Sequence, residues 1–261
     1  MRCKTRQIAF QILRDMPKDE LTVRLSGPPE EAAASIAAAA RFGLVEAQLL
    51  FGQVLLDGRG TPRDPAAAVL WFGAAASAGS AEAMNMLGRC HEMGWGVRSD
   101  CAVAAVWYAR AADHGLDWAQ YNLANLTLRG RGVPRDRRKA LSLYLSAARS
   151  GHAKSMNMIG RYCEEGWEVV RDTRRAVEWY RRGAEGGDFR AQYNLGTLLI
   201  REGQIAQAAV WLESAVRRGT QDFLIAIHAG MLRSDHQVIR VLGALAEARL
   251  HSRSSAPPLQ A

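Results

Sequence analysis

The chain has 261 residues, 48% of them hydrophobic, and 34 basic residues against 26 acidic ones leave a formal charge of +8. This is the composition of a soluble globular protein, and no apolar run reaches the roughly 18 residues needed to span a bilayer. The positive balance permits contact with nucleic acid or an acidic surface but does not demand it.

The first element, Met1 to Met16, alternates Arg and Lys with short apolar pieces. It lacks the apolar core of about 7–15 residues that a secretory signal needs, so a cytoplasmic protein is expected. One helix is predicted over Thr5–Met16, followed by a linker containing Gly27, Pro28 and Pro29. Residues 1–30 thus read as an N-terminal extension.

From there the chain repeats every 36 residues. Ala47, Ala83, Ala119 and Ala191 hold one register, with Ser155 in the remaining slot. Gly43, Gly79, Gly115, Gly151 and Gly187 keep the same step, as do Asp64, Asp100, Asp136 and Asp172. Fixed self-similarity of this length predicts a solenoid, an architecture that binds other proteins more often than it catalyses.

Residues 32–43 match the second half of a repeat, so the array opens on a half unit. In the unit Ser80–Gly115, Ala83, Met86, Leu87 and Cys90 fall at i, i+3, i+4 and i+7, which predicts a helix over Ala81–Met93. Gly94 and Gly96 break it. Asp100 can accept the free amide protons of the next turn and so caps a second helix, Cys101 to His114, which Gly115 ends.

Small residues recur where helices approach: Gly52, Gly88, Ala124, Gly160 and Gly196 in first helices, and Ala68, Ala104, Ala140 and Ala176 in second helices. Trp71, Trp107 and Trp179, with Leu143 in the third slot, are expected to fill the core beside Phe72, Tyr108, Tyr144 and Tyr180. Burial of that kind would make Trp107→Ala cost about 3–5 kcal/mol.

The last full unit loses four residues in its loop near Gly203, which moves Trp211 and Gly219 to 32 residues after Trp179 and Gly187. Two capping helices are predicted over Gln221–Leu232 and Asp235–Leu250. A disordered Ser/Pro-rich tail is expected beyond them. The expected organisation is an extension (1–30), a repeat array (31–219), a C-terminal cap (220–250) and a tail (251–261).

Cys3, Cys90, Cys101 and Cys163 do not recur in register, so free thiols in a reducing compartment are expected. Cys90, His91, Cys101 and His114 share one unit, yet no Cys-x-x-Cys or His-x-x-x-His spacing is present, and no metal is expected. His114 and His152 flank the glycine turns and read as polar turn residues. No nucleophile elbow, phosphate loop or dinucleotide pattern occurs, so neither an enzyme nor a cofactor is expected.

Basic residues cluster at Arg129, Arg131, Arg135, Arg137, Arg138 and Lys139, and again at Arg171, Arg174, Arg175, Arg181 and Arg182. A solvated rim is the first reading. A phosphate-backbone track is the alternative, and it lacks the interleaved exposed aromatics of single-strand binders.

The units also alternate. Residues 79–95 match residues 151–167 at 10 of 17 positions but match residues 115–131 at only 4 of 17. Ala119-Gln120-Tyr121-Asn122-Leu123 recurs intact as Ala191-Gln192-Tyr193-Asn194-Leu195. The underlying period is therefore a pair of units.

Ala83, Leu87, Gly88, Gly94, Gly96, Val97, Asp100, Ala104, Trp107, Tyr108, Ala111, Ala112 and Gly115 form a pattern that resembles the Sel-one-like repeat, a relative of the tetratricopeptide repeat with a longer loop. Gly130, Gly132, Val133, Asp136, Ala140, Tyr144, Ala147, Ala148 and Gly151 carry it in the next unit. The resemblance covers about residues 31–219 and departs from the pattern at Glu168, where a loop glycine is due. It implies an all-α, right-handed αα superhelix with a concave groove lined by first helices. It also implies a monomeric bacterial scaffold or adaptor.

Tetratricopeptide geometry would aim Asn85, Arg89, Tyr121, Asn125, Asn157, Arg161, Tyr193 and Thr197 into that groove, with Glu92, Arg129, Glu164 and Arg201 one turn further on. The i, i+4 spacing places each pair on one helix face. The expected partner is an extended peptide or helix with some acidic character. Asn amides would bond its backbone, Arg would meet its carboxylates and Tyr would stack. The competing reading is a duplicated double unit whose polar residues are merely solvated. Asn122 and Asn194 lie on a neighbouring face, so either Asn set could reach a ligand. Binding of nucleic acid or another polyanion by the basic loops is the other functional alternative.

Overall fold

The computed structural model describes residues 27–254, so the predicted Thr5–Met16 helix, Cys3 and the tail beyond residue 254 lie outside the described residues. Among the described residues there are helices and no strands. They are α1 (Pro29–Arg41), α2 (Val45–Asp57), α3 (Pro65–Ser77), α4 (Ala81–Met93), α5 (Cys101–Asp113), α6 (Asp117–Arg129), α7 (Arg137–Arg149), α8 (Ala153–Glu165), α9 (Thr173–Glu185), α10 (Phe189–Arg201), α11 (Ile205–Arg218), α12 (Gln221–Leu232) and α13 (Gln237–Ser254). The chain is an all-α helical-repeat solenoid.

The helix ends follow from local chemistry. Asp100 accepts from the amides of Ala102 and Val103, Asp64 from that of Ala67 and Asp172 from that of Arg175, so each begins a second helix as an N-cap. First helices α4 and α10 are capped by Ser80 and Asp188. His152 caps α8: its Nδ1 accepts from the Ser155 amide and the ring is 5% exposed. The turn role expected of His152 is thereby corrected to a buried cap, while His114 is an exposed C-cap.

The chain divides into two compact units, Met1–Asp136 and Arg137–Ala261. In the first, α2 to α6 enclose a core that includes Leu55, Phe72, Met86, Leu87 and Cys90. In the second, α11 to α13 close the C-terminal end around Leu212, Val216, Leu224, Ile227 and Ile239. The second capping helix starts two residues later than its sequence pattern suggested and runs four further.

The pairs α2–α3, α4–α5 and α8–α9 each interlock at a glycine, Gly52, Gly88 and Gly160. A Cβ on Gly88 would lie 2.5 Å from the Tyr108 ring, and one on Gly160 equally close to that of Tyr180. The first helix therefore offers a notch and the second helix inserts an aromatic ring into it. Phe72, Tyr108, Tyr144 and Tyr180 are fully buried. Trp71, Trp107 and Trp179 are only half-buried, with Arg110 stacked on Trp107 and Arg182 on Trp179. Trp71 and Trp107 pack partly buried against the core, as expected, and the ring one position later is the fully buried one.

The loop glycines serve a different close approach. A Cβ on Gly60 would lie 2.0 Å from the Pro29 carbonyl oxygen, and one on Gly96 2.1 Å from that of Pro65. Gly132 meets the Cys101 carbonyl carbon in the same way, at 2.2 Å. All three have positive φ. Each long loop thus seats its glycine on the first turn of the preceding second helix. Glu168 occupies this place in the fourth loop at φ 56°, the one non-glycine with positive φ among the described residues.

Candidate functional site

The residues singled out in the sequence fall on the first helices, one set in each compact unit. Asn85, Arg89 and Glu92 lie on α4, with Tyr121, Asn125 and Arg129 on α6. Asn157, Arg161 and Glu164 lie on α8, with Tyr193, Thr197 and Arg201 on α10.

The contacts that matter run between neighbouring repeats. Asn122 donates its Nδ2 to Asn85 Oδ1 at 3.0 Å, and Asn194 donates to Asn157 Oδ1 at 2.8 Å. Each pair leaves one donor, Nδ2 of Asn85 or Asn157, and one acceptor, Oδ1 of Asn122 or Asn194, outside that bond; Asn85 is half-buried, whereas Asn157 is 5% exposed. That is the complement of an extended main chain, which presents an N–H and a C=O side by side.

The acidic positions are committed within the protein. Tyr108 donates its hydroxyl to Glu92 Oε2 at 2.9 Å while Arg131 bonds Oε1 at 3.2 Å. Tyr180 and Arg201 hold Glu164 in the same way at 2.8 and 3.2 Å. Thus Glu92, Glu164 and Arg201 lock helices together. Burial raises the Tyr108 and Tyr180 hydroxyls far above the usual phenol range, with the neighbouring glutamate as a second cause.

Arg89 stacks over Trp95 at 5.1 Å and Arg161 over Trp167 at 5.3 Å, so each cation is held flat against an indole beside its Asn pair. Tyr121 meets Trp118 edge-on at 6.5 Å. Tyr193 is drawn away: its ring packs at 90° on Phe223 of α12, and Thr197 bonds back to the Asn194 carbonyl. These two are used by the C-terminal core and by their own helix. Asn125 is half-buried and Arg129 sits exposed at the end of α6.

Sequence spacing missed Tyr108, Tyr180, Trp95, Trp167 and Arg131 as members of the network, and it placed Asn122 and Asn194 on another face. The available signal was a shared offset: Asn85 to Asn122 and Asn157 to Asn194 are both 37 residues apart, and Glu92 to Tyr108 and Glu164 to Tyr180 both 16.

Buried thiols and phenols give the fold an alkaline limit. Burial pushes the Cys90 thiol up to about 11, with Arg89 pulling it back, and burial also raises Cys163. A group raised in the folded state stabilises fully below its unfolded value and loses that contribution as pH climbs through the folded one. The thermal midpoint should therefore hold up to about pH 9 and then fall, each such group contributing up to about 1.4 kcal/mol per pH unit. A pH series of melting curves checks this. The double variant Tyr108→Phe/Tyr180→Phe should decline less steeply above about pH 10, where unfolded tyrosines ionise. An equal slope would remove the tyrosines as the cause.

The basic clusters are partly consumed. Arg131 pairs with Glu92, Arg137 stacks over Trp167 at 5.0 Å and Arg138 lies 3.8 Å from Glu168. Among the described residues no group of three or more His, Cys, Asp or Glu is placed to hold a metal ion, and no helix is long and apolar enough to cross a membrane.

The profile of the Sel1 repeat matches residues 45–80, 81–116, 119–152, 153–188 and 189–220. The chain is similar to a Sel1 repeat protein from Oxalobacter formigenes, with a TM-score of 0.76, 26% identity, and coverage of 88% of this chain and 99% of that one. It is also similar to a protective antigen of uropathogenic Escherichia coli that displays an SLR fold. There the TM-score is 0.68 and the identity 25%, over 90% of this chain and about half (53%) of that one. An immunity protein from Pseudomonas aeruginosa shares the fold at 16% identity and a TM-score of 0.56, covering 83% of this chain and 84% of that one. No curated protein matches in sequence.

Proposed function

The chain belongs to the Sel1 repeat family, and we propose that it is an adaptor that binds an extended peptide of a partner protein along the face of its first helices. Sel1 repeat proteins generally mediate protein–protein interactions, and their fold is a scaffold. The finer reading rests on one observation. The double-unit period reproduces an Asn–Asn pair beside an indole-stacked Arg, once in each compact unit.

An amide pair with one donor and one acceptor to spare recognises backbone and tolerates sequence. The adjacent guanidinium adds preference for a carboxylate. Glu92, Glu164 and Arg201 act as supports that fix the helices carrying these groups. Tyr121, Asn125 and Arg129 extend the surface, while Tyr193 and Thr197 serve packing.

A peptide array probed with the full chain tests the reading. Asn85→Ala/Asn157→Ala should weaken capture of all bound peptides, by about tenfold or more for loss of two backbone hydrogen bonds. Arg89→Ala/Arg161→Ala should weaken only the acidic ones. Melting curves of each variant separate loss of binding from loss of fold. Peptides captured equally by wild type and both variants would end the proposal. Capture lost on substitution of the basic loops and on addition of salt would favour polyanion binding instead.

A further inference from the structure

A cleft of about 380 Å³ opens in the second compact unit between α7, α9 and the α8–α9 loop. Leu141, Leu145, Ile159 and Val169 wall it, and Trp179 forms one side. This is within the size range of small-molecule sites, which are mostly apolar with a few converging polar groups.

The cleft lies where this repeat departs from its neighbours. Gly132 lets its loop seat on the backbone of Cys101, but Glu168, at the same position above Arg137, carries a Cβ that cannot enter such a space. The contact is replaced: Tyr162 donates its hydroxyl to the Arg137 carbonyl at 2.9 Å, and the Arg137 guanidinium covers Trp167. The following residues, Val169 and Val170, line the cleft, and Val170 stands at its lip 89% exposed. Strained backbone positions cluster at ligand sites, and this one lies two residues before the exposed apolar lip.

The mouth is positive. Arg175 and Arg182 line it with Glu178, and the Arg182 guanidinium lies over the Trp179 ring at 4.5 Å. The segment from Arg171 to Arg182 holds five arginines against two carboxylates. This is the basic cluster that the sequence assigned to a solvated rim.

We infer that this cleft binds a small apolar carboxylate, its hydrocarbon body against Leu141, Leu145 and Trp179 and its anion at Arg175. The site is separate from the Asn pairs and does not rest on the peptide-binding reading.

Isothermal titration calorimetry of the full chain with naphthalene-2-carboxylate tests it. Saturable binding of one molecule per chain is expected, with the uncharged naphthalene-2-carboxamide about tenfold weaker. Val170→Asp should weaken the carboxylate about tenfold by adding a like charge at the lip. Because Val170 is exposed, the melting curve should not move. Arg175→Gln should erase the preference for the carboxylate over the carboxamide. No saturable heat at millimolar probe, or binding that both variants leave unchanged, overturns the proposal. Peptide capture by the Asn pairs is read independently, so either proposal can fail alone.

Discussion

Tyr180→Ala is expected to destabilise the protein by about 3–5 kcal/mol, the cost of emptying a large aromatic site in a packed core. For a chain of this size that lowers the thermal midpoint by on the order of 10 °C. The ring is fully buried and fills the notch above Gly160, where no other side chain can follow it. Its loss also leaves Glu164 held by Arg201 alone. Tyr180→Phe keeps the ring and loses only the hydroxyl bond, so its cost should be about 1–3 kcal/mol. The neighbouring Trp179→Ala should cost less than Tyr180→Ala, about 1–2 kcal/mol, because Trp179 is half-buried and one face carries Arg182. Denaturant melts of the three variants give the order directly. A Trp179→Ala variant less stable than Tyr180→Ala would show that the packing has been assigned to the wrong ring.

Gly96→Ala should be the next most damaging change, at roughly 2–4 kcal/mol. Its φ of 70° costs an alanine about 1–2 kcal/mol. The new Cβ would also fall 2.1 Å from the Pro65 carbonyl oxygen, which forces the loop off α3 at a further cost of about 1–3 kcal/mol. Two comparisons isolate the terms. Gly79 has φ 97° with nothing near its Cβ position, so Gly79→Ala should show the conformational cost alone, about 1–2 kcal/mol. Glu168→Gly should act in the opposite direction and stabilise by about 1 kcal/mol, because it relieves a positive φ at the price of an exposed, weak pair with Arg138. Equal losses for Gly96→Ala and Gly79→Ala would mean that the loop does not rest on the preceding helix.

These expectations separate what is local from what is not. The repeat, most helix limits and the aspartate caps were legible because each is encoded within a few residues, whereas the His152 cap and the limits of the last helix were not. Ala83, Met86, Leu87 and Cys90 repeat at helical spacing, Asp100 offers an oxygen to its own first turn, and Gly94 stops the helix that precedes it. The predicted Ala81–Met93 and Gln221–Leu232 are the helices observed. Family membership was legible for the same reason, since the pattern is a spacing.

The candidate site was legible only in outline. Asn85, Arg89, Asn157 and Arg161 were placed on the first helices correctly, but i, i+4 spacing describes one helix and the network joins two. Whether Asn85 meets Tyr121 or Asn122 depends on how α6 is rotated against α4, which no within-helix rule fixes. Tyr193 shows the same limit. It repeats Tyr121 in sequence, yet it packs on Phe223 because a C-terminal cap lies beside it.

The sequence by itself determined an all-α array of Sel1 repeats, its register, its caps and its doubled period, because hydrophobic spacing and backbone punctuation act over one turn or one loop. Tertiary structure alone decided which of two adjacent aromatics is fully buried, which carboxylates are held by tyrosine and arginine, and that Val169 and Val170 line a cleft. Those outcomes depend on the distance between surfaces that lie from half a repeat to one repeat apart in sequence.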